Sequence, residues 1–275
     1  MEIFNEYWKK EYTIDKKYKI KGWSRGGLQT GFILEPSKIF LDAGIPAIIK
    51  PNMILITHAH QDHINSLYNH LLDTKNVPVI CSIDIVNFLQ DYLNANKSLN
   101  ALHKSKFNNW NPIPIVNKKT INISNTNYLI EAYDLDHEVK TLGYGINEIR
   151  TKLKEEYLNY EQLQIEELKK SNIEITNSVN YPVLFFCGDM NYTSLEILPF
   201  NTYPVFIIEC SFLNDEHINE AREKMHLHIK DLIPHVETNK NTKFIFIHFS
   251  LRYNKSEIKL YQTKYSHLEN LIFWI

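Results

Sequence analysis

The sequence predicts an α/β domain, and two patterns along the chain carry that prediction. Runs rich in β-branched and aromatic residues, most of them bounded by Pro, Asn or Gly, predict strands over 32–45, 53–57, 78–82, 127–135, 182–190, 204–212 and 243–250. Stretches with helical spacing of apolar residues lie between these runs, over 83–95, 152–170, 217–236 and 256–263. Such alternation of strands and helices is typical of layered α/β architectures.

The 275 residues are long enough for one large domain or two small ones. Because no Gly/Ser-rich or Pro-rich linker divides the chain, we predict a single domain over 1–275. Residues 147–180 stand out as a charged helical insert with five basic residues against seven glutamates. The insert is therefore not expected to act as a basic arm.

Composition excludes several classes of protein. A net charge of −2 argues against a surface coated with positive charge for nucleic acid, although a local basic patch remains compatible with it. No window approaches eighteen uncharged apolar residues, and the charged N-terminal segment lacks the apolar core of a secretory signal. Three scattered cysteines do not make a disulfide framework. We expect an intracellular protein of the cytoplasm or nucleus, neither secreted nor bound in a membrane.

The segment THAHQDH, residues 57–63, follows a predicted buried strand and predicts a metal site. In an extended loop His58 and His60 point to the same side and can share one ion, while Asp62 and His63 can reach a second. Neutral imidazoles and carboxylates suit zinc, and sometimes manganese or iron. The alternative is a polar loop with solvated histidines, but four ligand types at this spacing favour metal binding.

Two ions need further ligands, and three candidates also follow predicted strands. These are His137, Asp189 and His248. A carboxylate shared by two ions keeps them roughly 3.5–4 Å apart, a role that suits Asp189 on its Gly-Asp turn. Taken singly, His137 could be a surface residue, Asp189 a turn former and His248 a core histidine. Taken together, the three favour a two-metal centre.

Several segments resemble the metallo-β-lactamase superfamily and, within it, ribonuclease Z. They are THAHQDH, HEVKTLGY (137–144), Gly-Asp-Met, IIECSFLNDEHINEAREKMHLH (207–228) and IHFSLRY (247–253). Residues 155–182 are similar to the short, plant-type branch of that family, so the resemblance covers almost the whole chain. It implies a four-layer αβ/βα sandwich and a homodimer.

The resemblance also implies a ligand set. His58, His60 and His137 would hold one zinc ion, and Asp62, His63 and His248 the other, with Asp189 bridging the two Zn²⁺ ions of each subunit. Mn²⁺ or Fe²⁺ could take their place. Asp42 in FLDAGI matches the family's first acidic motif and would orient ligands.

The implied activity is a zinc-dependent endoribonuclease that removes 3′ trailers from precursor tRNA by metal-hydroxide attack on a phosphodiester. Asp62 would accept a proton from the nucleophile. His226 resembles the proton donor to the leaving 3′ oxygen, with Glu209 orienting it. His228 competes for the His226 role, and Glu209 has the alternative of a structural carboxylate.

Ser250 and Arg252 could bind substrate phosphate, with a structural role for Arg252 as an equal alternative. The sequence also departs from the family in lacking a Gly/Pro-rich basic arm, so RNA must be held by other Lys or Arg residues or by a dimer partner. Two further readings stay open. One is a broader metallo-hydrolase of the same fold acting on other RNA, β-lactams or esters. The other is a catalytically silent RNA-binding dimer.

Overall fold

The computed structural model describes residues 6–47, 49–123 and 126–275, which form two β-sheets with helices on their outer faces. The strands are β1 Glu11–Thr13, β2 Lys19–Arg25, β3 Gln29–Glu35, β4 Ile39–Leu41, β5 Met53–Leu55, β6 Val77–Ser82, β7 Trp110–Ile115, β8 Thr120–Asn122, β9 Tyr128–Leu135, β10 Thr141–Leu153, β11 Thr176–Phe186, β12 Val205–Glu209, β13 Lys243–Ile247 and β14 Leu271–Phe273. The α-helices are α1 Gln61–Ile64, α2 Leu67–Leu71, α3 Val86–Ala101, α4 Gln162–Lys170, α5 Ile218–Glu223, α6 Ile229–Thr238 and α7 Lys255–Lys264.

The two sheets have the same internal plan. In the described part of the chain each has seven strands, in the orders β1-β2-β3-β4-β5-β6-β7 and β14-β13-β12-β11-β10-β9-β8. The first four strands of each half pair antiparallel and the last four pair parallel. Because strands that run parallel end at the same edge, the plan collects loops from both sheets at one edge of the molecule.

Three apolar clusters hold the layers together. The first lies between the sheets and contains Leu55 of one sheet and Ile207 of the other. The second packs α6 and α7 on the outer face of one sheet, and the third packs α2 and α3 on the outer face of the other. Each sheet is therefore buried on both faces, which explains its nearly continuous apolar strands. The predicted four-layer αβ/βα sandwich is confirmed.

The predicted helical insert over 147–180 is wrong in part, because most of it is strand. β10 and β11 continue past the sheet as an antiparallel hairpin, paired from Glu148–Tyr181 to Leu153–Thr176. Only Gln162–Lys170 is α-helical. Cross-strand contacts favour the extended form, since the Arg150 guanidinium lies 3.5 Å from the centre of the Tyr181 ring.

None of the described helices is long and apolar enough to cross a lipid bilayer.

One buried histidine away from the strand ends gives a pH-dependent prediction. The ring of His70 donates from Nε2 to the Ile45 carbonyl at 2.9 Å and packs edge-on against Phe40. Burial lowers the pKa of His70 to about 4, from an ordinary value of 6.5. Since the folded chain favours the neutral ring, its stabilising effect is complete above about pH 6.5 and is lost as the pH falls from there toward 4.

We therefore expect the free energy of unfolding of the wild-type protein to fall between pH 7 and 5 by about 2 kcal/mol more than that of His70→Gln. Urea unfolding of both proteins in chelator, followed by tryptophan fluorescence, measures the difference. Contributions from other titrating groups cancel in the comparison. Parallel pH profiles for the two proteins would show that His70 has no such role.

Candidate metal and catalytic centre

The candidate site lies where the carboxyl ends of several strands meet at one edge of both sheets. Leu142 N–H donates to the Thr57 carbonyl at 3.0 Å and ties the two sheets together at this edge. The loops leaving β5, β9, β11 and β13 contribute five of the predicted site residues, which are His58, His60, His137, Asp189 and His248. Asp62 and His63 lie on the short helix α1, and Glu209 is the last residue of β12.

The structure brings all seven predicted ligands together in two groups. His58, His60, His137 and Asp189 place one possible ligand atom each within 4.8 Å of one another, and Asp62, His63 and His248 form a second such group. Asp189 Oδ2 lies between the groups, 3.7 Å from His58 Nε2, 3.4 Å from His63 Nε2 and 3.3 Å from His248 Nε2. This is the position required of a carboxylate that bridges two cations.

Hydrogen bonds fix the tautomer of four of these histidines. In each, Nδ1 contacts an acceptor and leaves Nε2 with its lone pair directed into the site. The pairs are His58 with Thr57 Oγ1 (2.9 Å), His63 with Asp42 Oδ2 (2.7 Å), His137 with the Met225 carbonyl (2.9 Å) and His248 with Ser211 Oγ (3.0 Å). Ring orientation is thus set before any ion binds.

The donor atoms fit a divalent metal. Nε2 of His58 and Nε2 of His137 are buried and have no hydrogen-bond partner among the described residues. A buried polar atom without a partner is costly, and a cation would satisfy both nitrogens at once. Burial also lowers the pKa of His58 well below its usual value, so that its ring is neutral, as a ligand must be.

Hydrogen bonds also hold two acidic side chains, Asp42 and Asp62, in place. Asp42 is buried and accepts from Thr57 N–H at 2.8 Å, Thr57 Oγ1 at 2.9 Å and His63 Nδ1, as expected for a residue that orients ligands. Gly27 N–H donates to Asp62 Oδ2 at 3.0 Å, and Gly27 has a φ of 69°, a conformation that favours glycine. The turn that contains Gly27 therefore contacts the site directly.

Glu209 and His226 form a hydrogen-bonded pair beside the metal ligands. Glu209 is buried, and its Oε1 accepts from Met190 N–H at 2.8 Å and from His226 Nδ1 at 2.9 Å. The His226 ring centre lies 5.5 Å from that of His248. Burial alone would lower the pKa of His226, but the charge and hydrogen bond of Glu209 outweigh it and raise the pKa to about 9. This arrangement keeps a charged, oriented imidazole next to the centre.

The alternative assignment to His228 is not supported. His228 is fully buried and caps α6, where Nδ1 accepts from Lys230 N–H at 3.2 Å and Nε2 donates to the Asn214 carbonyl at 3.0 Å. Both ring nitrogens are therefore committed to local structure. His226, not His228, contacts the centre.

Arg252 was predicted to bind substrate phosphate, but its side-chain nitrogens already donate to other residues of the protein. Its two terminal nitrogens pair with Glu220 at 2.7 and 2.6 Å, and its Nε lies 3.3 Å from Ser250 Oγ. The guanidinium also lies over the ring of Phe212. These contacts support the structural alternative for Arg252, and Ser250 serves as one of its acceptors.

Two site residues escaped the sequence interpretation. Ser211 donates from Oγ to Glu209 Oε2 at 2.7 Å and also contacts His248 Nδ1, so it links the carboxylate to a candidate ligand. Arg25 donates to the carbonyls of Ser250 and Tyr253 and holds the loop after His248. The Glu-x-Ser spacing could have indicated Ser211. Contacts between a side chain and distant backbone carbonyls, as for Arg25, leave no pattern in the sequence.

Comparison with known proteins agrees with this geometry. The chain is 28% identical over 256 residues to tRNase Z TRZ1 of Arabidopsis thaliana, covering 88% of this chain and 89% of that protein. It is 28% identical over 278 residues to the chloroplastic tRNase Z TRZ2 of the same plant, covering 94% of this chain and 77% of the relative. No family model matches the sequence.

Solved structures agree on the fold. The metallo-beta-lactamase fold protein YhfI of Bacillus subtilis superposes with a TM-score of 0.60 at 11% identity, over 91% of this chain and 93% of that one. The short form of human tRNase Z, ELAC1, superposes with a TM-score of 0.56 at 14% identity, over 84% of this chain and 92% of that one. At these identities the superpositions establish the metallo-β-lactamase fold alone. The chain is therefore similar over most of its length to plant tRNase Z proteins and has the metallo-β-lactamase fold.

Proposed function

We propose that this protein is a metal-dependent endoribonuclease that hydrolyses precursor tRNA at the 3′ end of the mature sequence and releases the 3′ trailer. The single observation that carries the proposal is the position of Asp189 between two donor groups, with the Glu209–His226 pair beside them. Both plant relatives carry the name tRNase Z, which supports RNA as the substrate.

We further propose two Zn²⁺ ions per subunit, one held by His58, His60 and His137 and the other by Asp62, His63 and His248, with Asp189 shared. Mn²⁺ or Fe²⁺ would find the same ligands. When bound, divalent cations lower the pKa of water toward 7 and neutralise charge that develops on the phosphate.

The protein's own groups then divide the proton transfers. Asp62 is partly buried, its Oδ2 is held by Gly27 N–H, and it is placed to accept the proton of the attacking water. His226 donates a proton to the 3′ oxygen as the P–O3′ bond breaks, and Glu209 stabilises the charged ring before that step. The products are a tRNA with a 3′-hydroxyl and a trailer with a 5′-phosphate.

We also propose a homodimer, working inside the cell where its RNA substrate is made. The three cysteines are free and buried, which is compatible with a reducing compartment. Light scattering after size-exclusion chromatography tests the dimer, since it should give twice the mass of one chain.

Cleavage of a 3′-extended precursor tRNA tests the function. We expect a single cut at the end of the mature sequence, abolished by chelator and restored by added Zn²⁺, because both donor groups need a cation to act. Sequencing of product ends maps the cut. A chromogenic β-lactam is assayed in parallel, and hydrolysis of the lactam without any cut in RNA would replace the proposal by the small-molecule alternative.

A further inference from the structure

An exposed aromatic ring, which the proposed mechanism does not use, belongs to a residue close in sequence to the candidate bridging carboxylate. Tyr192 follows Asp189 by three residues, so their Cα atoms are at most about 11 Å apart. The residue is 44% exposed. The Arg222 guanidinium lies over one face of the ring, 3.9 Å from its centre. The exposed area of the ring therefore belongs to its opposite face and its edge.

The loop that carries Tyr192 is fixed to the strand end that carries a candidate ligand. Asn191 N–H donates to the Asp136 carbonyl at 2.6 Å, and Thr193 Oγ1 donates to Asp136 Oδ2 at 2.6 Å. In return, Asp136 N–H donates to Ser194 Oγ at 2.7 Å. Since Asp136 directly precedes His137, these bonds fix the position of the loop relative to a candidate metal ligand.

The guanidinium behind the ring is fixed as well. Arg222 Nη1 donates to Asp231 Oδ2 at 2.7 Å, and its second terminal nitrogen pairs with the other carboxylate oxygen. Arg222 lies on α5, which leads directly to Met225 and His226. Because Asp231 neutralises Arg222, the pair offers a rigid flat surface instead of a free positive charge.

We propose that Tyr192, backed by Arg222, is a stacking platform for the unpaired base of a nucleotide next to the cleaved phosphate. The proposal rests on the proposed function, since it takes RNA as the substrate of this site. Every base has a π-face, so stacking on an aromatic ring binds a single strand with little regard to its sequence. Such tolerance suits a trailer of variable sequence, and it supplies affinity that the acidic hairpin does not.

Binding to an acceptor-stem RNA hairpin with a short 3′ extension tests the platform. EDTA prevents cleavage, so that fluorescence anisotropy gives the Kd of binding alone. The measurement is made on a series of RNAs, each of which lacks the base at one position on one or the other side of the cut. We expect Tyr192→Ala to raise Kd roughly 5- to 100-fold, with Tyr192→Phe close to wild type and Tyr192→Leu close to Tyr192→Ala. Removing the stacked base should weaken wild-type binding by a similar factor and leave Tyr192→Ala unchanged.

Two controls separate stacking from general RNA affinity. Tyr160 on the β10–β11 hairpin has the same 44% exposure, and Tyr160→Ala should respond to each missing base as the wild type does. The slope of log Kd against log salt should be the same for wild type and Tyr192→Ala, because stacking releases no counterions.

Equal losses for wild type and Tyr192→Ala at every missing base would overturn the platform. Failure of the proposed function gives a different result, namely no cut by the wild-type enzyme with Zn²⁺ in unmodified precursor. The binding comparison, made without metal, does not depend on that result.

Discussion

Replacing Asp189 with asparagine is expected to lower RNA cleavage by roughly 10³-fold or more, since the cation contribution to such reactions is worth several kcal/mol. Asparagine has nearly the same shape but lacks the charge that lies within 3.7 Å of three imidazole nitrogens from both donor groups. We therefore expect metal affinity and turnover to fall together. Single-turnover cleavage and elemental analysis of the same preparation measure both.

Asp134→Asn is the matched control for this substitution. Asp134 lies on β9, close in sequence to His137, but its carboxylate pairs with Lys140 and belongs to neither donor group. Its cleavage rate and metal content should stay close to wild type. Cleavage at the wild-type rate by Asp189→Asn, with a full complement of metal, would exclude Asp189 as a bridging ligand.

Replacing His226 with alanine should lower cleavage of precursor tRNA by roughly 10²–10⁴-fold, the usual contribution of a positioned general acid. The loss should depend on the leaving group. A 3′ alcohol needs a proton, whereas p-nitrophenolate leaves without one, so hydrolysis of bis(p-nitrophenyl) phosphate should change little. Glu209→Gln should show the same pattern with a smaller loss on RNA, because it removes the charge that stabilises the protonated ring.

His267→Ala serves as the control, because His267 is exposed on the segment before β14 and lies outside all donor groups. It should behave as wild type on both substrates. Metal content should be unchanged in His226→Ala. Equal losses on RNA and on the p-nitrophenyl ester would instead indicate that His226 acts on the metal site or on folding.

The ends of the central strands were predictable because their apolar runs stop abruptly at polar residues. Ile54 and Leu55 are fully buried, and the polar segment begins within two residues of Leu55, so a local pattern was enough to place His58 at a strand end. The layers came only from the family resemblance, and the order of strands was not predicted, since periodicity does not specify which strands are neighbours.

Two strands, β2 and β7, were missed because their composition hides them. β7 carries Pro112 and Pro114, which argue against a strand, yet it lies at the sheet edge where missing N–H donors cost little. In β2, Ile20, Gly22 and Ser24 face the core and alternate with the outward-facing Lys19, Lys21, Trp23 and Arg25, and the charges on that outer face masked the alternation. In both cases position in the sheet outweighs composition.

Within the site, residue types near a strand end were predictable and their partners were not. Arg252 looked available for phosphate because nothing in its own segment reveals Glu220, more than thirty residues earlier, as its partner. Thr57 and Asp42 instead lie beside or within recognised motifs, and their hydrogen bonds to ligands follow from that location. Long-range pairing of side chains is information that only the fold supplies.

The most direct measurement is the metal content and position in active protein. Purified without chelator, the enzyme should contain two divalent ions per chain, and anomalous diffraction should place one beside His58, His60 and His137 and the other beside Asp62, His63 and His248. RNA cleavage at full rate by protein free of divalent metal, or ions bound away from these side chains, would contradict the account.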